Sequence, residues 1–188
     1  IGKLVYTHML NSRGGIETDI TVNRLGENRY LIISSATIHP RDKAWIERQI
    51  GGDENVTLTD VTSGYAVLSL QGPKSRKILS EVTDADLSNE AFPFATSQEI
   101  DLGYARIIAN RLTYVGELGW EFHIPTEFAQ GVFDAVMQAG ASHGLKPAGY
   151  HALEHLRSER AYREYELDLT PEDTPLEAGL GFTVKLDK

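Results

Sequence analysis

The sequence predicts an α+β fold, with mainly antiparallel sheets and flanking helices. Two observations carry that prediction. Extended segments come in pairs joined by short glycine-containing turns, as hairpins require. Helical segments are interspersed between them, opening near a proline and closing at a glycine. No glycine-rich phosphate loop follows a strand, so a nucleotide or dinucleotide fold is not indicated.

Residues 4–10 read as a strand and 11–15 as its turn, with Gly14-Gly15 permitting positive φ. Residues 16–22 alternate strictly. Ile16, Thr18, Ile20 and Val22 share one face, and Glu17, Asp19 and Thr21 the other. A third strand is expected over 29–34, followed by a helix that starts at Pro40 and stops at Gly51-Gly52. This strand-strand-strand-helix unit, residues 1–55, is expected to form one subdomain. Residues 56–188 are expected to form a second, antiparallel α+β subdomain. It begins with strands at 56–60 and 65–70 and a short helix after Gly72-Pro73. A polar connector at 84–97 follows, and its Phe92 and Phe94 are expected to plug the core. A long strand at 104–114 returns antiparallel through 120–124. Thr126 is expected to cap a helix whose buried stripe is Phe128, Val132, Phe133 and Val136, and Gly140 ends it. A last helix runs from Pro147 to about Tyr162 with Leu153 and Leu156 facing inward, and a final strand covers 181–186.

The chain has 188 residues and a formal net charge of −9, which argues against non-specific binding to nucleic acid or anionic membrane. No apolar run approaches the roughly 20 residues of a membrane span. With no cysteine, disulfides, thiol nucleophiles and cysteine–metal sites are excluded. His151 and His155 lie four apart on one helix but lack a third ligand nearby, so no metal site is expected. The start, Ile1-Gly2-Lys3-Leu4-Val5, has no initiator methionine and enters a strand at once. The expectation is a piece of a longer chain.

Three places invite a chemical reading. The stretch Tyr114-Val115-Gly116-Glu117-Leu118-Gly119-Trp120-Glu121 combines two glycines with two acids and two aromatics. It reads either as a hairpin with charged tips or as a site, where an aromatic stacks on a flat ligand and a carboxylate accepts paired N–H bonds from a ring edge. Asp19 lies mid-strand, where aspartate is disfavoured, with Tyr6 at or near the opposite hairpin position. It is either a solvent-facing acid or, with Tyr6, a polarising pair. Arg157 lies at the margin of an apolar stripe and needs a carboxylate, from Glu154 three residues earlier or from a ligand. Arg160 and Arg163 are expected to pair within the helix, with Glu164 and Glu159.

Four motifs occur here in the same order as in the glycine-cleavage T-protein (aminomethyltransferase) family. They are Tyr6 with Leu10-Asn11, Gly14-Gly15-Ile16 and Asp19; Leu70-Gln71-Gly72-Pro73; the Tyr114–Glu121 stretch; and Pro175-Leu176-Glu177-Ala178-Gly179-Leu180. The chain resembles that family along its whole length, and most of all the branch fused to dimethylglycine and sarcosine dehydrogenases. The resemblance implies a tetrahydrofolate-binding fold that forms 5,10-methylenetetrahydrofolate from an amine- or iminium-borne one-carbon unit. It implies Asp19 as the catalytic acid and Tyr6 in the same pocket. It further implies Tyr114 stacking on the folate, Glu121 on the pteridine edge and Arg157 near the folate tail; Trp120, next to Glu121 in sequence, is expected to adjoin that site. Glu117 is expected to shape the turn. The implied partners are a small amine and a flavin dehydrogenase domain or subunit, with FAD held there and not in this chain. The implied location is the bacterial cytoplasm or the mitochondrial matrix. Ser34-Ser35 stands where aminomethyltransferases proper carry an Asn-Ala pair, which favours the dehydrogenase-associated branch. By the resemblance, the family's N-terminal segment and C-terminal barrel are expected to lie outside this stretch. The alternative is a catalytically silent folate-binding or regulatory module.

Overall fold

The structure, a computed structural model, describes residues 1–187. Its contacts divide the chain into two units. The first holds Ile1, residues 5–61 and the segment from Arg163 onward; the second holds residues 2–4 and 62–162. The first boundary falls a few residues beyond the expected 55. The C-terminal segment groups with the first unit, not with the second.

In the first unit, β1 (Leu4–Leu10), β2 (Ile16–Arg24) and β3 (Tyr30–Ile33) form a sheet in that order. The β1–β2 turn is tied by Asn11, whose Oδ1 accepts from the backbone N–H groups of Arg13 and Gly15 at 2.9 and 3.0 Å. Only Gly14 of the glycine pair has positive φ, at 82°. Gly15 is needed for a different reason: a Cβ there would fall 2.0 Å from the Pro171 carbonyl oxygen. Ile16, Thr18 and Ile20 are buried, as alternation predicts, but the phase then slips and Asn23 is buried in place of Val22. Helix α1 (His39–Gln49) carries Pro40 in its first turn. The core gathers Ile16, Ile38, Tyr165, Leu169 and Leu180. Three of these five come from beyond Arg163, which is why that segment belongs to this unit.

Two expected strands are absent. Residues 56–60 have no ladder partner, and Val56 is exposed. Residues 181–183 form a 3-10 turn instead, because the Thr183 N–H and hydroxyl both bond the Leu180 carbonyl.

In the second unit, β4 (Tyr65–Gln71), β5 (Thr96–Leu102), β6 (Ala105–Arg111) and β7 (Gly119–Pro125) form an antiparallel sheet ordered β4-β7-β6-β5. Helices α2 (Ser75–Leu79), α3 (Ala129–Gly140) and α4 (Tyr150–Glu159) complete it. One sheet face packs on a core that includes Trp120, Phe122 and Ile124 of β7, Ile107 of β6 and Val132 and Val136 of α3. The other carries Ser69, Glu121, Asn110 and Ser97, which stand opposite one another across all four strands. Strand β5 was not foreseen. Its outward half is polar, and only Ile100 and Leu102 join the core, so its apolar signal is short.

Smaller expectations also shift. Phe92 is fully buried, but Phe94 is 65% exposed. Thr126 caps nothing; its hydroxyl donates to the Ser63 carbonyl at 2.9 Å, and Phe128 precedes α3 without a side-chain cap. Val132 and Val136 are buried as expected, whereas Phe128 and Phe133 are exposed. The last helix is shorter than foreseen. Leu156 faces out, and Arg157 takes the buried position instead.

Candidate functional site

The structure brings Tyr6 and Asp19 together in the first unit: the Tyr6 hydroxyl donates to Asp19 Oδ2 at 3.0 Å. Cross-strand neighbours in an antiparallel pair lie close enough for a tyrosine to reach a short carboxylate. The Tyr6 ring is stacked with Phe182 and edge-on to His8, with centroids 6.4 and 5.2 Å away. His8 Nδ1 lies 3.1 Å from the Thr183 hydroxyl. Burial pushes the His8 pKa below 6.5, against the pull of the Asp19 carboxylate. Asp42 of α1, only 2% exposed, accepts from the Thr18 hydroxyl at 3.2 Å. Burial raises its pKa above 3.8, opposed by bonds from Thr18 and Ser34.

Tyr114, Glu121 and Arg157 lie in the second unit. Tyr114 follows β6 in a turn where Thr113 Oγ1 accepts from the N–H groups of Val115 and Glu117. Its ring stacks on Tyr162, with centroids 6.2 Å apart and planes 20° from parallel. Arg157, 5% exposed, donates through Nε and Nη2 to Glu154 Oε2 at 3.1 and 2.7 Å, and through Nη1 to the Tyr162 carbonyl at 3.0 Å. The intrahelical partner foreseen for Arg157 is therefore the one it takes. Arg160 and Arg163 differ: Arg160 pairs with Glu117 at 3.1 Å, and Arg163 Nε donates to the Ala178 carbonyl. The Glu117 N–H is tied within the turn by Thr113, whereas its carboxylate is held from outside the turn by Arg160. Glu121 projects from the polar face of β7 and is about three-quarters covered. His123 Nε2 lies 3.1 Å from its Oε1.

Trp120 does not adjoin Glu121 in the sense expected. Successive side chains of a strand point to opposite faces, and Trp120 is fully buried in the core, edge-on to Phe92, with the guanidinium groups of Arg76 and Arg111 5.9 and 5.6 Å from its ring centroid. A cavity of about 750 Å³ in the second unit is lined by acids, including Glu81, Asp84, Glu99 and Asp101, and by none of the five candidate residues. Its charge suits no polycarboxylate tail. Tyr162 and His123 were missed by sequence reasoning. Tyr162 gave no signal because its contact depends on where α4 ends. His123 does lie two residues from Glu121 in the strand, and that spacing alone places both on one face.

The fold and these features define an aminomethyltransferase-type domain. The profile described as the GCVT N-terminal domain matches residues 1–188. The chain belongs to that glycine-cleavage T-protein family. It is 46% identical to mitochondrial sarcosine dehydrogenase from Mus musculus over 98% of its length and 22% of the relative's. It is 37% identical to the aminomethyltransferase of Caldanaerobacter subterraneus subsp. tengcongensis, covering 99% of this chain and 49% of that one. The crystal structure of the glycine cleavage system aminomethyltransferase T from Bartonella henselae superimposes with a TM-score of 0.83 at 29% identity, covering all of this chain and 48% of that one. The chain therefore spans between about a fifth and a half of these relatives. Among the described residues no helix is long and apolar enough to cross a membrane.

Proposed function

We propose that this chain is a tetrahydrofolate-binding one-carbon transfer domain. It forms 5,10-methylenetetrahydrofolate from a one-carbon unit carried by a small amine or iminium. It works beside a flavin-dependent N-methylglycine-type dehydrogenase, fused or separate, which holds the FAD, in a mitochondrial matrix or a bacterial cytoplasm. The observation that carries this reading is the Tyr6–Asp19 hydrogen bond, which fixes a carboxylate in mid-strand where no structural need calls for one.

Tetrahydrofolate, when bound, supplies the two nitrogens that accept the one-carbon unit. Asp19 orients the amine, stabilises the cationic iminium and carries a proton. The Tyr6 hydroxyl holds Asp19 Oδ2 and so keeps the other oxygen for the substrate. The residues of the second unit fit a pterin with an acidic tail. Tyr114, already stacked on Tyr162, offers a flat aromatic face. Glu121 is a partly exposed carboxylate that accepts paired ring-edge donors. Arg157 meets a tail carboxylate only by exchanging a bond it makes to Glu154 or to the Tyr162 carbonyl. The presence of Asp19, Tyr114 and Glu121 together favours this reading over a silent regulatory module.

Calorimetric titration of the full-length protein with tetrahydrofolate tests the assignment. Glu121→Ala and Tyr114→Ala are each expected to weaken binding roughly tenfold or more. Affinity unchanged in both variants overturns it. Tryptophan fluorescence is a poor reporter, because Trp120 faces the core.

A further inference from the structure

His123 is 4% exposed, yet it lies on the polar face of β7, two residues from Glu121. Val67 and Ile108 stand opposite it in the ladder, and Ser69 and Asn110 stand opposite Glu121. Its Nε2 is shielded from water and makes no aligned hydrogen bond among the described residues. Leaving a buried ring nitrogen unsatisfied is costly. Glu121 Oε1, 3.1 Å away, is an acceptor that a small side-chain rotation aligns. An imidazole in this position does nothing for the apolar core, which lies on the other sheet face with Trp120 and Phe122.

We propose that His123 is a positioning residue for Glu121. Its Nε2–H takes one lone pair of Oε1 and holds the carboxylate plane in the orientation that accepts the two adjacent N–H donors of a pterin edge. This rests on the reading of Glu121 as the pterin contact. A carboxylate left free to rotate meets two parallel donors only in part of its range, so fixing it lowers the ordering cost of binding. The arrangement selects ligands that present paired donors over those that present one.

The test compares two amides at one position in the full-length protein. A glutamine amide nitrogen reaches the place of Nε2, whereas an asparagine amide reaches only that of Nδ1. Tetrahydrofolate affinity is expected to stay near wild type in His123→Gln and to fall roughly tenfold in His123→Asn. In a Glu121→Gln background, His123→Asn is expected to add no further loss, because the residue acts through the carboxylate. Equal losses in the two amide variants, or a loss that adds in full to that of Glu121→Gln, overturns the proposal while leaving the Glu121 assignment intact. No loss from Glu121→Gln alone overturns that assignment and the proposal with it. A second measurement needs no change at position 123. The imidazole nitrogen resonances of His123 are expected to shift on tetrahydrofolate binding in the wild type and not in Glu121→Gln. Resonances that stay fixed in both, or move equally in both, overturn the proposal.

Discussion

Asp19 and Tyr6 show how a carboxylate is given a task by one neighbour. Asp19 is half-buried on the outward phase of β2, and the Tyr6 phenol on the neighbouring strand occupies one of its oxygens at 3.0 Å. His8, two residues along from Tyr6, shares that side of the hairpin and feels the same carboxylate. Burial holds its imidazole pKa below 6.5. The folded state therefore binds this proton less tightly than the unfolded state. Between the depressed pKa and 6.5 the unfolded chain takes up more protons, so stability falls as pH drops through that window. His8→Gln is expected to flatten this part of the unfolding profile, measured by urea titration at a series of pH values. An unchanged slope contradicts the lowering of the His8 pKa by burial.

At the scale of elements, the Tyr114–Glu121 turn is built on glycine. Gly116 has φ of 71°, and a Cβ there would meet the Arg160 side chain at 2.6 Å. Arg160 can swing away, but the backbone cannot, so Gly116→Ala is expected to destabilise by about 1–2 kcal/mol in denaturant unfolding. Adding Arg160→Ala is expected to restore only the steric part of that loss. Much of the scaffold was legible in the sequence where local pattern and tertiary contact agree. The alternation from Ile16 to Ile20 marks β2, and the nearness expected of Tyr6 and Asp19 on adjacent strands appears as their hydrogen bond. Pattern failed where pairing decides. Val56 and Leu58 alternate like a strand but find no ladder, and β5 is strongly paired although its sequence, TSQEIDL, shows little apolar periodicity. The sequence puts Arg157 at the edge of an apolar stripe, and only the packed structure shows it buried with both Glu154 and the Tyr162 carbonyl. The Tyr114–Tyr162 stack joins residues far apart in sequence, which no period reveals.

For the molecule as a whole, the chain's return to its first unit is the organising fact. Tyr165, Leu169 and Leu180 complete the core around Ile16 and Ile38. Truncation after Tyr162 is expected to remove amide protection from β1–β3 by roughly two orders of magnitude or more in hydrogen exchange, while β4–β7 keep theirs. Retained protection in β1–β3 would show that the C-terminal segment is dispensable to that core. The family places the chain among aminomethyltransferase-type domains, and the chemistry proposed for it turns on one carboxylate. The most direct measurement is formation of 5,10-methylenetetrahydrofolate by the full-length protein carrying Asp19→Ala, with tetrahydrofolate affinity determined on the same sample. The expected result is a loss of product formation of roughly a hundredfold or more, with affinity largely kept. Product formed at the wild-type rate would contradict the role given to Asp19.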